Sequence, residues 1–289
     1  MHFVIDETHA GDRIDAFVSS KVPNVSRSSM KKLSTSEQVV VNGKLAKSSY
    51  RLKDGDIVDI TDGLGEMPEY SEINIPNLYE DDNCVVINKP AGVLSHSKGK
   101  FNPEPTVETW LLKYIQDIKG ERAGIVHRLD RHTSGVMICA KNIATFKWLQ
   151  KQFANRKVEK TYIAIVKGHL EHNKATIDMP IGRNPKKPST FRADPSGKAA
   201  VTDYKVLKSS SKLDMLELKP KTGRTHQLRV HLKQVGHPII GDFIYGKDID
   251  SRMYLHAFKL GLTLKDGSRH TFTADLPDSF DQLMESDRG

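Results

Sequence analysis

Residues 124–140 read Gly-Ile-Val-His-Arg-Leu-Asp-Arg-His-Thr-Ser-Gly-Val-Met-Ile-Cys-Ala. Ile125-Val126 leads into a loop with five ionisable residues, His127, Arg128, Asp130, Arg131 and His132, and Val136–Ala140 follows as an unbroken apolar run. A short apolar run bounded by turn residues reads as a strand covered on both faces. The fold must therefore supply a covered sheet and hold a charged loop at the start of a strand from Gly135 to Ala140. A chain of 289 residues can do this as one large or two unequal domains.

Other elements surround that strand. Cys84–Asn88 is a second apolar strand, closed by the turn Lys89-Pro90-Ala91-Gly92. Asn142 is a helix N-cap, followed by Phe146, Leu149 and Phe153 on one helical face. Strands are predicted at Thr161–Val166, Val201–Leu207, Leu213–Leu218, Tyr254–Leu264 and His270–Ala274. Leu228, Leu232 and Val235 mark a helix stopped by Gly236, with Pro238 beyond. Several strands with a few helices and no strict βαβ alternation indicate a mixed α+β domain.

Ahead of this domain, the segment 61–78 holds Gly and Pro pairs without any sustained period and reads as a linker. The predicted organisation is a small module at 1–62, a linker at 63–77 and a large domain at 78–289. Within the module, a short amphipathic helix begins at 12–18, and Ser26 caps a basic helix from Arg27 to about Leu33. Val39-Val40-Val41-Asn42-Gly43-Lys44 is a strand turning on Asn-Gly. Leu52–Val58 repeats the turn-then-strand pattern through Asp54-Gly55.

The net charge is +8, and its distribution says more than its size. Residues 21–53 carry eight Lys and Arg against Glu37, and residues 147–192 carry eleven against three acids. Two basic clusters in separate segments favour a track for phosphates. A hydrophobic share of 37% excludes a wholly disordered chain. No apolar run is long enough for a membrane helix, and the first residues do not form a secretory signal. Cys84 and Cys139 lie in apolar runs and are expected as buried free thiols in a reducing cytoplasm. Gly63-x-Gly65 lacks its third glycine, and no P-loop or His-Glu-x-x-His motif exists, so nucleotide and zinc-protease readings fail.

The module, through RIDAF, SRSSMKKL, VVVNGK and LKDGDIV, resembles the S-four-type RNA-binding module. It departs from that module at 34–38, where STSEQ stands in place of a glycine. Arg27, Lys31 and Lys32 on its basic helix and Lys44 in its hairpin are the candidate RNA contacts. The large domain carries HRLDRHTSGVMICAK, KTYIAIVKG, SGKAAVTDYKVL and KPKTGRTHQLRVHLKQVGHPIIGD in that order. It closely resembles the RluA-type pseudouridine synthases over about 78–280. The resemblance implies a pseudouridine synthase fold, with a central, mostly antiparallel sheet and flanking helices.

It also implies roles. Asp130 is the catalytic carboxylate, acting as nucleophile or as base on the ribose. Tyr162 is the active-site tyrosine that stacks on uracil, and Arg229 is the arginine paired with Asp130. Arg224 ranks second for that pairing and is also a candidate RNA contact. Arg128 is associated with entering the RNA and holding a flipped base. His127 reads as a loop hydrogen-bonding residue, Leu255 as a core or base-packing residue, and His226 and His231 not as metal ligands. The expected protein is a monomeric cytoplasmic isomerase of uridines in RNA, without cofactor or metal. Large-subunit ribosomal RNA is the favoured substrate, with transfer RNA second. Other classes are a non-catalytic RNA-binding or ribosome-assembly factor of this fold, and a base-releasing hydrolase; intact motifs argue against both.

Overall fold

The structure is a computed structural model, and it describes residues 1–22, 25, 38–61, 73–97, 104–115, 117–118, 124–246 and 252–287. The chain forms two compact units, Met1–Glu72 with Ser97–Thr106 and Ile73–His96 with Val107–Gly289.

In the smaller unit, β1 (His2–Val4), α1 (Ile14–Lys21), β2 (Val39–Val41), β3 (Lys44–Leu45) and β4 (Ile57–Ile60) follow in order. The strands form an antiparallel sheet ordered β1-β4-β2-β3. Asn42 and Gly43 both have positive φ, 50° and 73°, the turn whose twist matches a two-residue hairpin. The Asn42 side chain accepts from the Ile57 N–H at 2.8 Å and so ties this turn to β4. Ile14, Phe17 and Val18 of α1 share one buried cluster with Val39, Val41, Val58 and Ile60. Lys44 is exposed. The basic helix with Ser26, Arg27, Lys31 and Lys32, and residues 34–37 of the departure, lie outside the described residues.

The larger unit begins with β5 (Asn77–Glu80), β6 (Cys84–Lys89), α2 (Val107–Leu111), β7 (Ser134–Ala140) and α3 (Ile143–Ala154). It continues with β8 (Glu159–Lys167), β9 (Lys174–Asp178), β10 (Ile181–Arg183), β11 (Phe191–Ala193), β12 (Val201–Ser209) and β13 (Leu213–Pro220). It closes with α4 (Gln227–Gln234), β14 (Leu255–Thr263), β15 (Arg269–Thr273) and α5 (Ser279–Ser286). The main sheet runs β5-β6-β7-β14-β8-β13-β12-β9, with β15 on β14 and β10-β11 as a separate pair. Its pairings are antiparallel except for β7 with β14. The architecture is mixed α+β.

Every residue of β7 is buried, which is why its sequence is apolar without alternation. The Asn142 side chain accepts from the Thr145 N–H at 2.9 Å, and this cap starts α3 directly after β7. Gly135 sits where β7 meets β14, with φ 114°; a Cβ there would lie 2.2 Å from the Ala257 carbonyl oxygen. No other residue fits that crossing.

Two placements differ from the sequence reading. Of the stretch 63–77, the described part begins at residue 73, where Ile75 is in the larger unit's core and Asn77 opens β5. Lys89, read as part of a turn, is the last residue of β6 and is fully buried. Cys84 and Cys139 are buried and unpaired, and burial pushes the Cys84 thiol up to about 12. No helix among the described residues is long and apolar enough to cross a membrane.

Candidate active site

The loop before β7 is built to present one side chain. Ile125 bridges to Cys139 and the Ala140 N–H donates to the Gly124 carbonyl at 2.8 Å, so the chain doubles back along β7 before the loop opens. Leu129 turns inward, and its backbone is held from both sides by the Ser95 hydroxyl. That oxygen accepts from the Leu129 N–H at 3.1 Å and donates to its carbonyl at 2.8 Å. One residue past Asp130, the Arg131 carbonyl accepts from the Gly92 N–H at 2.8 Å and the Lys89 ammonium at 3.1 Å. Lys89 also donates to the Pro90 and Val93 carbonyls, at 2.8 Å each. Burial lowers Lys89 to about 7, while the nearby Asp130 charge works the other way. Asp130 is thus aimed by anchors at the residues before and after it.

Its carboxylate meets α4. Arg229 Nη1 donates to Asp130 Oδ2 at 3.1 Å, and Arg229 is only 3% exposed. The rest of its fork goes to Asp242: Nε donates to Oδ2 at 2.7 Å and Nη2 to Oδ1 at 2.8 Å. Burial opposes the charge on Arg229, yet the two carboxylates outweigh it and hold the guanidinium above its ordinary value. Just before α4, His226 takes a left-handed φ of 56°, which brings its Nε2 to 3.9 Å from Asp130 Oδ2. Its Nδ1 lies 2.8 Å from the Tyr245 hydroxyl, which accepts from the Phe191 N–H at 2.9 Å. The phenol proton is then directed at Nδ1, and a neutral His226 carries its own proton on Nε2, facing Asp130. Burial keeps His226 low, with Asp130 opposing.

Asp130, His226 and Arg229 line a cleft of about 490 Å³. Tyr162 enters it from β8, where it pairs with Leu218 and Ala257 in register, and Leu255 supplies an apolar wall. Burial, and then the Asp130 charge, push the Tyr162 phenol up, so it stays protonated at neutral pH. Asp130 is the one carboxylate among the described residues of the lining, against Arg128, Arg156, Lys160, Lys221, Arg224 and Arg229. Such a cleft attracts a polyanion and holds a single fixed negative oxygen inside it.

Residues 83–234 match the family described as RNA pseudouridylate synthase, and residues 12–58 match the S4 domain. The chain belongs to the RNA pseudouridylate synthase family. It is an RNA pseudouridine synthase, an isomerase whose substrate is RNA. It is 38% identical to Ribosomal large subunit pseudouridine synthase D of Borreliella burgdorferi, over 93% of this chain and 87% of that one. The protein of the same name in Escherichia coli O157:H7 is 37% identical over 84% of this chain and 75% of its own. Among solved structures, Human RNA Pseudouridylate Synthase Domain Containing 4 superposes with a TM-score of 0.59 at 28% identity. The superposition covers 74% of this chain and 93% of that one.

The remaining residues of this synthase sort clearly. Asp130, Tyr162, Arg229, Arg128 and Arg224 all line the one cleft. Arg224 does not compete for Asp130, because its Nε donates to the Ala199 carbonyl at 3.0 Å. Arg128 is exposed, with Nη1 3.1 Å from His96 Nε2. His127 is a loop hydrogen-bonding residue: its Nε2 accepts from the Ile138 N–H at 3.1 Å and its ring stacks on Phe153. Burial lowers it to about 3, which keeps it neutral. His231 is held by Thr202 and the Met179 carbonyl, away from His226. No cluster of three or more His, Cys, Asp or Glu among the described residues is arranged to hold a metal ion. Asp242, Tyr245, Lys89 and Ser95 carry no role in the sequence reading. Asp242 and Lys89 nevertheless fall inside the GHPIIGD and INKPAG stretches, the one signal that points to them.

Proposed function

We propose that this synthase isomerises uridines of large-subunit ribosomal RNA in the cytoplasm, with residues 1–62 holding RNA and residues 78–289 carrying the chemistry. The names of the relatives and the S4 match support the substrate and the division of labour. Buried, unpaired Cys84 and Cys139 fit a reducing compartment. Asp130 is the reacting carboxylate. The observation that carries this is its place, among the described residues, as the single acid lining a cationic cleft, with Oδ2 paired and Oδ1 accepting no hydrogen bond from any of them.

Isomerisation breaks the bond from ribose C1′ to uracil N1, turns the base and joins C1′ to C5; a proton leaves C5 and N1 gains one. Asp130 supports either route, by attack at C1′ or by removing the ribose C2′ proton. Arg229 fixes the carboxylate through the bond from Nη1 to Oδ2. Tyr162 stacks on the uracil, an interaction worth roughly 1–3 kcal/mol. A water takes the C5 proton; the protonated Tyr162 hydroxyl can pass it on only by giving up its own proton to that water in the same step. The target must leave its helix to enter, at a cost of a few kcal/mol, and Arg128 at the cleft holds the opened RNA. Arg224 and Lys44 contact phosphates, as do Arg27, Lys31 and Lys32.

The test is incubation with ribosomal and transfer RNAs tritiated at uracil C5. Tritium released to water with the RNA chain intact, from large-subunit RNA above all, is the expected result. Tight binding with no release from any RNA would sink the reading, and release of free base would make the protein a hydrolase.

A further inference from the structure

Arg229 divides its fork unequally, and Asp242 determines the division. Asp242 is fully buried and accepts four hydrogen bonds. Two come from Arg229 Nε and Nη2, and the others from the Ile244 and Tyr245 N–H groups, at 3.0 and 3.1 Å. Its position is fixed by its neighbour: Gly241 has φ 74°, and a Cβ there would fall on the Arg252 carbonyl. The Tyr245 ring covers the guanidinium, 5.1 Å from its centre. Thus the Nε–Nη2 edge of Arg229 is occupied and the guanidinium is fixed in a direction that brings Nη1 to Asp130 Oδ2.

We propose that Asp242 is a positioning residue: by holding the Nε–Nη2 edge of Arg229 it fixes the guanidinium where Nη1 meets Asp130 Oδ2 and Asp130 Oδ1 stays open to the substrate. This rests on the reading of Asp130 as the reacting carboxylate. Two carboxylates share one guanidinium, so the arginine's charge is divided between Asp242 and Asp130.

The charges around Asp130 come from several elements. Arg229 and His226 face it from α4 and the residue before, and Tyr162 from β8. Its own loop adds Arg128, Arg131 and His132, Lys89 lies at the end of β6, and Tyr245 and Asp242 lie beyond Arg229. Only Asp130 and Asp242 among these are carboxylates, and both meet Arg229.

The experiment compares full-length Asp242→Asn with the wild type on an RNA from which the wild type releases C5 tritium. With Asn present, the arginine turns onto Asp130 and kcat falls on the order of 100-fold. RNA Kd and KM should stay within about threefold of wild type. A kcat within about twofold of wild type or a loss confined to KM would overturn the proposal. If Asp242→Asn does not fold, Asp242→Glu serves, since it keeps the charge but displaces the fork. There too kcat should fall with KM held; wild-type kcat or a loss confined to KM would count against the proposal. Asp130→Asn separates the two claims. An inactive Asp130→Asn beside a full-rate Asp242→Asn refutes only the inference, whereas turnover in Asp130→Asn refutes the reading beneath it.

Discussion

Positive charge serves different ends in the two units. On the hairpin of the smaller unit, Lys44 and Lys47 are exposed beside a shallow groove lined by Val41, Leu45 and Tyr50, and water screens them. In the larger unit, Lys89 and Arg229 are buried and already committed, one to three backbone carbonyls and the other to two carboxylates. The first kind of charge is available to RNA and contributes little to folding. The second kind organises the protein and is not available to a phosphate.

That contrast breaks most easily at Arg229. Arg229→Met leaves Asp242 buried without its partner, and losing one member of a buried pair costs about 3–5 kcal/mol. Thermal unfolding should shift down by roughly 10 °C, with turnover lost. The salt dependence of RNA binding should hardly change. An unchanged Tm would mean that this arginine is not committed to the fold.

Lys89 gives a smaller, pH-dependent effect. Burial lowers it from 10.5 to about 7 in the folded chain, with Asp130 opposing. Between those values the unfolded chain binds a proton that the folded chain has released, so stability rises with pH across that window; below it the full cost of the buried cation is present. Urea unfolding at pH 7 and 9.5 should therefore show the wild type gaining about 1–3 kcal/mol on Lys89→Met. A difference that does not vary with pH would place Lys89 with the exposed lysines.

The smallest effect belongs to those lysines. Replacing Lys44 and Lys47 together by Ala should change stability by less than about 0.5 kcal/mol. The slope of log K against log salt should fall by about 0.7–0.9 for each phosphate these lysines neutralise. Loss of turnover at saturating RNA would show that the hairpin does more than hold RNA.

The same contrast sets what could be read from sequence. Strands covered on both faces, Cys84–Lys89 and Ser134–Ala140, were readable because burial writes a continuous apolar run. The helix Ile143–Ala154 was readable from its cap, and the hairpin from Asn42-Gly43. Strands such as Lys174–Asp178 and Asn77–Glu80 were not singled out, because most of their side chains face water and carry no strong apolar pattern. The parallel contact of Gly135 with Ala257 joins segments far apart in the chain, which no local pattern encodes. In the site, Asp130, Tyr162 and Arg229 came from motif resemblance. Asp242 looks like an ordinary Gly-Asp turn and Lys89 like an exposed Lys-Pro turn, because what makes them special is burial against distant partners.

The proposed isomerisation rests on one carboxylate, held but not covered. C5-tritium release by Asp130→Asn under single-turnover conditions, with RNA binding followed in parallel, tests it most directly. Binding within about threefold of wild type with no release above background is the predicted result. Release at a measurable rate from the correctly folded variant would contradict it.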